Sequence, residues 1–126
     1  MGYAHAKIIL RNPRLDSVAP IEVDSLADTG SLHLCIPEHI AIQLNLEEMY
    51  KREVTTADGK KHLVSYVGPV QVIFGDRGCF GGAIVIGDQV LLGAVQMEDM
   101  DLVVSPPARK VVPNPDSPNI PTALAK

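Results

Sequence analysis

The chain has 126 residues, 46% of them hydrophobic and 21% charged, with a formal net charge of −4. That length suits one domain with a buried core, and the composition is too apolar and too weakly charged for a disordered chain. No apolar run approaches the about 18 residues that a membrane span requires. Fifteen acidic residues outnumber 11 basic ones, with no clustered basic face, which argues against a nucleic-acid partner. The N-terminus carries His5 and Lys7 inside its apolar stretch and lacks the layout of a signal peptide. Cys35 and Cys79 are too few for a disulfide scaffold, so the chain reads as a reduced, cytoplasmic protein. With 4% aromatics and no Trp, the core must come from Val, Ile and Leu, which favours strands.

In chain order, Ala4 to Leu10 reads as a first strand, closed by the turn signal Asn12-Pro13. Ile21 to Ala27 alternates apolar and polar residues as a half-buried strand should. Asp28-Thr29-Gly30 interrupts it, and Leu32 to Ile36 resumes it. Pro37 suits the first turn of a helix that runs to Leu46, with Ile40 and Leu44 four apart on one face. Glu53 to Thr56 and Leu63 to Val67 form a hairpin turning at Asp58-Gly59. Val70 to Phe74 and Gly82 to Ile86 form another, joined by Gly75 to Gly78. Val90 to Gly93 is a short apolar strand, followed by a helical turn through Met97, then Leu102 to Val104 and a last strand at Lys110 to Val112. Six of the ten prolines follow Ser105, so Asn114 to Lys126 is not an interior strand. The reading is one all-β domain over residues 1–113 with one short helix, followed by a Pro-rich tail over 114–126. The tail, which carries Ile120 and Leu124, is expected to fray or to lie along a partner surface.

Leu26-Ala27-Asp28-Thr29-Gly30-Ser31 is the segment that points to chemistry. A tight loop between strands can present a carboxylate at its tip, and a glycine two residues on lets a backbone N–H approach it. Asp and Gly also dominate ordinary turns, but here one apolar strand runs straight into the loop and another runs out.

Over about Lys7 to Val112 the chain resembles the retropepsin-type aspartic proteases, in particular their small bacterial members. Four features stand in that family's order: the Leu26 to Ser31 loop, a helix behind it, a flap-like hairpin turning at Ala57-Asp58-Gly59-Lys60, and a late Leu91-Leu92-Gly93. The resemblance implies a closed, barrel-like acid protease fold in which Asp28 is catalytic, Thr29 locks two loops together and Gly30 lies against the substrate. It also implies that Ala57, Asp58 and Gly59 at the flap close over an extended peptide, with Ser31, Leu32, Val90 and Leu92 lining its site. Retroviral members carry an Asp and an Arg where this chain has Leu32 and Ala94, so both partners of that pair are absent together.

Hydrolysis of this type needs two carboxylates that share a proton. Asp28 is the sole match to Asp-Ser/Thr-Gly in the sequence. A two-fold homodimer supplies the second copy. The expected function is that of a homodimeric aspartic endopeptidase needing no cofactor or metal. A homodimeric peptide-binding module on the same fold is the alternative. His33, Cys35 and His39 carry metal-ligand chemistry, but the paired Cys-x2-Cys spacing is absent and a strand cysteine is ordinarily a small buried hydrophobe. Gly75, Gly78, Gly81 and Gly82 read as hairpin glycines, since no Gly-Lys-Ser/Thr follows.

Overall fold

The computed structural model describes residues 4–125, so Met1 to Tyr3 at the start of the predicted domain and Lys126 at the end of the tail lie outside the described residues. The strands are β1 (Ala4–Arg11), β2 (Ile21–Ala27), β3 (Leu34–Ile36), β4 (Glu47–Thr55), β5 (Lys61–Phe74), β6 (Arg77–Val85), β7 (Val90–Leu92), β8 (Leu102–Ser105) and β9 (Lys110–Pro113). Two short helices, α1 (Glu38–Gln43) and α2 (Ala94–Asp99), complete the chain. One sheet runs β4-β5-β6-β3-β7-β2-β1-β9-β8, and a further pairing of β5 with β1 closes six of these strands into a barrel. β4 projects from one side of the closure and the β8–β9 hairpin from the other. Among the described residues no helix is long and apolar enough to cross a membrane.

The alternation seen in the sequence becomes burial. In β1, Ala4, Ala6, Ile8 and Leu10 point into the barrel, with Leu10 fully buried. Leu34, Ile36, Val70, Val72 and Leu92 meet them there. Ile40 and Leu44 cover the barrel from α1, as their spacing predicts, while Ile42 is exposed. Polar groups inside are satisfied locally. Ser25 Oγ donates to Ala6 O at 2.7 Å, and Asn12 Nδ2 donates to Leu44 O at 3.0 Å, which ties the end of α1 to the first turn.

Five elements differ from expectation. β6 begins at Arg77 and not at Gly82, because the turn is a tight one at Gly75-Asp76, with Gly75 at φ 60°. α1 ends at Gln43, not Leu46, because Asn45 turns the backbone to φ 53° and sends Leu46 toward β4. The flap strand β4 consequently begins at Glu47 and not at Glu53. The two predicted hairpins share one 14-residue strand, β5, whose register shifts between Val67 and Val70. Pro69 sits inside that shift, where a missing ladder donor is tolerated. The predicted helical turn at Met97 is a full second helix, started by Gly93 with Gln96 Oε1 accepting from Gly93 N at 3.1 Å.

The tail also finds its own place. Asp101, at the bend between α2 and β8, accepts from Asn114 Nδ2 (3.0 Å), Ser117 Oγ, Thr122 N (3.0 Å) and Thr122 Oγ1 (3.1 Å). Buried Arg77 donates to the carbonyls of Met100, Asp101 and Ser117. As far as Thr122 the polar contacts of the tail therefore run to its own chain, although Ile120 and Leu124 stay exposed.

Candidate active site

β2 and β7 run parallel, pairing Ala27 with Leu92, and this pairing aims the Asp28 loop. Asp28 N donates to Leu92 O at 3.0 Å and Ser31 N donates to Asp28 O at 3.0 Å, which closes the turn. Gly30 N then donates to Asp28 Oδ1 at 3.0 Å. A Cβ on Gly30 would stand 3.1 Å from that oxygen, so glycine keeps the carboxylate approachable. The side of the loop away from β7 rests on the start of α2. Ala94 N donates to Ser31 O at 2.8 Å and Val95 N to Leu32 O at 3.1 Å. Main-chain bonds thus brace the loop at Ser31 and Leu32.

Gly93 makes that brace possible. A Cβ there would lie 2.5 Å from His33 O and 2.6 Å from Leu32 O, closer than carbon and oxygen can approach. The late apolar-apolar-Gly singled out in the sequence is required by close passage of backbone.

The carboxylate opens onto a cleft of about 650 Å³ between the loop floor and the flap hairpin of β4 and β5. Asp28, Gly30, Ser31, Leu32 and Ala57, all among the candidate site residues, line it. Val90 and Leu92 do not. Both are buried in the barrel, and Leu91 between them faces the cleft together with Ile84 and Ile86. β7 is apolar at all three positions, so alternation along it carried no sign of which face was which. Asp58 and Gly59 stand exposed at the flap tip, outside the lining. Thr56 Oγ1 and Lys60 N both donate to Asp58 Oδ1, and these bonds hold its carboxyl below its ordinary range. Asp58 shapes the flap turn. Thr29 is exposed and borders a second hollow with Ala94, Met97, Glu98 and the edge strand β8.

His33, Cys35, Val54, Thr55 and Thr56 also line the cleft, and the sequence reading assigned none of them to it. Burial pushes the Cys35 thiol up, the Ser31 hydroxyl 3.9 Å away opposes this, and the Asp28 charge adds to it. Cys35 is thus a neutral thiol on the cleft floor. His39 lies elsewhere, in a hollow with Asp24 and Asp88. Among the described residues no three His, Cys, Asp or Glu side chains are grouped to hold a metal ion.

A barrel whose parallel strands aim an Asp-Thr-Gly loop under a hairpin flap has the retropepsin-like fold. The retroviral protease-like domain of Ddi1 from Leishmania major superposes with a TM-score of 0.53 over 90% of this chain and 98% of that one, at 10% identity. A retropepsin-like aspartic protease from Rickettsia conorii aligns with a TM-score of 0.45 over 75% of this chain and 83% of that one, at 19% identity. No family model matches the sequence, and no curated protein does.

Proposed function

We propose that the chain acts as a two-fold homodimer that hydrolyses peptide bonds, with Asp28 of each copy forming the catalytic pair. The observation that carries this reading is the Asp28 carboxylate itself: braced through its backbone at the floor of an apolar cleft, yet accepting one hydrogen bond, from Gly30 N. Its other oxygen is left for a water and a second carboxylate. In this reading the second copy seats against the Thr29 hollow, which is bordered by the edge strand β8. Two buried free thiols favour a reducing compartment such as the cytoplasm.

The chemistry follows from two acids a few ångströms apart. Mutual repulsion separates their protonation steps, so the working pair shares one proton. The ionised member takes a proton from water as the water oxygen attacks the scissile carbonyl carbon. The protonated member gives its proton to the carbonyl oxygen, forming a neutral tetrahedral diol. Its collapse breaks the C–N bond as the protonated carboxyl delivers its proton to the leaving amine and the ionised one takes a proton from a diol hydroxyl, so the pair again shares one proton. The peptide lies extended under the flap, whose closure excludes water.

The test is cleavage of a mixed peptide library at high protein concentration, from about pH 3 to about pH 8, where a shared-proton pair gives a bell-shaped profile. Wild type should cut, and Asp28→Asn should be silent while remaining a folded dimer. A statine-type mimic of the tetrahedral species should block wild type. Wild type that binds peptides and cuts none would instead make the protein a peptide-holding module, and a strict monomer would remove the pair altogether.

A further inference from the structure

The flap does not distribute its charge evenly between its two faces. Its register pairs Tyr50 with Tyr66, Arg52 with Val64 and Val54 with His62, so these six side chains share one face, the one on which Val54 lines the cleft. Glu47, at the start of β4, meets Arg14 at 4.0 Å, and the other two carboxylates of β4 are spent on the opposite face. Glu48 meets Lys51 at 2.9 Å and Ser65 Oγ, and Glu53 lies 3.9 Å from Lys61. On the Val54 face, next to the cleft but outside its lining, the Arg52 guanidinium stacks 4.5 Å over the ring of Tyr66. That ring stands 5.9 Å from the His33 ring, edge-on, and His33 lines the cleft beside Leu32. Tyr66 is fixed in turn by Gly82, where a Cβ would strike the ring at 2.2 Å. Among the described residues neither Arg52 nor His33 has a carboxylate within ion-pair distance. Asp28 faces the substrate from the floor, and Asp58 is held in its own turn by Thr56 and Lys60.

We propose that this Arg52–Tyr66–His33 row receives an acidic side chain of the bound peptide, so that the preferred substrate is an apolar segment flanked by Asp or Glu. The inference rests on the peptide-cleft reading above. An apolar floor of Leu32, Ile84 and Leu91 takes the central side chains, and the Arg52 guanidinium, reached from the cleft past His33 and Tyr66, takes a carboxylate. Arg52 supplies a planar fork already oriented by stacking, which suits carboxylate recognition better than a free lysine would.

The test separates the two readings by measuring binding without turnover. Two fluorescent peptides share an apolar centre and carry either Glu or Gln at the flanking positions, and both are titrated into the Asp28→Asn protein. The Glu peptide should bind about tenfold more tightly at low salt, the scale of one charge-assisted hydrogen bond, and the preference should shrink as salt is added. Arg52→Gln should bring the two affinities together while leaving the Gln peptide bound as before. Equal affinity of the two peptides for the Asp28→Asn protein, or a Glu preference that survives Arg52→Gln, overturns the acidic subsite alone. If neither peptide binds, the subsite and the peptide-cleft reading fall together.

Discussion

Asp28 and Asp101 both end a structural element at a sharp bend, and the fold treats them in opposite ways. Asp101 is saturated by Asn114, Ser117 and Thr122, and these donors hold its carboxyl well below the usual carboxylate range. Asp28 receives one N–H, and the stiffness of its loop comes from backbone bonds to Leu92, Ala94 and Val95 instead of from its side chain. A carboxylate that organises structure uses up its lone pairs on protein donors. One positioned for chemistry is held by its main chain and keeps them free. Asp58 belongs with Asp101 by this measure, which is why it shapes the flap turn without entering the cleft.

The contrast is broken most severely by removing the backbone brace. Gly93→Ala places a methyl against two carbonyl groups that cannot withdraw without moving the Asp28 loop. Unfolding by denaturant should show a loss of about 3 kcal/mol or more, at the upper end of overpacking effects. A normal denaturation midpoint would mean that the loop and α2 are not tightly braced. Thr29→Val comes next, and it acts between copies. In the proposed dimer it should weaken association by about 1–3 kcal/mol through a stranded hydrogen-bond partner, with the fold of each copy unchanged. Sedimentation equilibrium reads this directly. An unaltered dimer constant would reduce Thr29 to a turn residue.

Ser117→Ala tests the other carboxylate. The buried hydroxyl that donates to Asp101 is lost, and destabilisation of about 1 kcal/mol is expected, with faster proteolysis of the tail. The smallest effect is that of pH. The folded-state pKa of Asp101 is depressed, so its contribution is present above its unfolded pKa and disappears as pH falls through the folded value. The tail should accordingly stay protected from proteolysis through mild acid, where a shared-proton pair operates, and be released only in strong acid. Release of the tail near the ordinary carboxylate pKa would show that the donors around Asp101 do not hold its charge.

The amino-acid sequence by itself determined the local pieces. Alternation set β1 and β2, Asp58-Gly59 placed the flap turn, the spacing of Ile40 and Leu44 oriented α1, and Asp28-Thr29-Gly30 between apolar runs marked the candidate site. These are short-range signals, written in neighbouring residues. Only the tertiary structure decided which way β7 faces, because three consecutive apolar residues carry no alternation and both faces satisfy them equally until the barrel closes. That closure turned Leu91 to the cleft and buried Val90 and Leu92. It also buried Arg77 beneath the tail, folded residues as far as Thr122 back onto Asp101, and set Arg52, Tyr66 and His33 in a row from three separate strands and loops. Each of these joins residues far apart in the chain, and their cause is the shared geometry of the barrel, which no local pattern encodes.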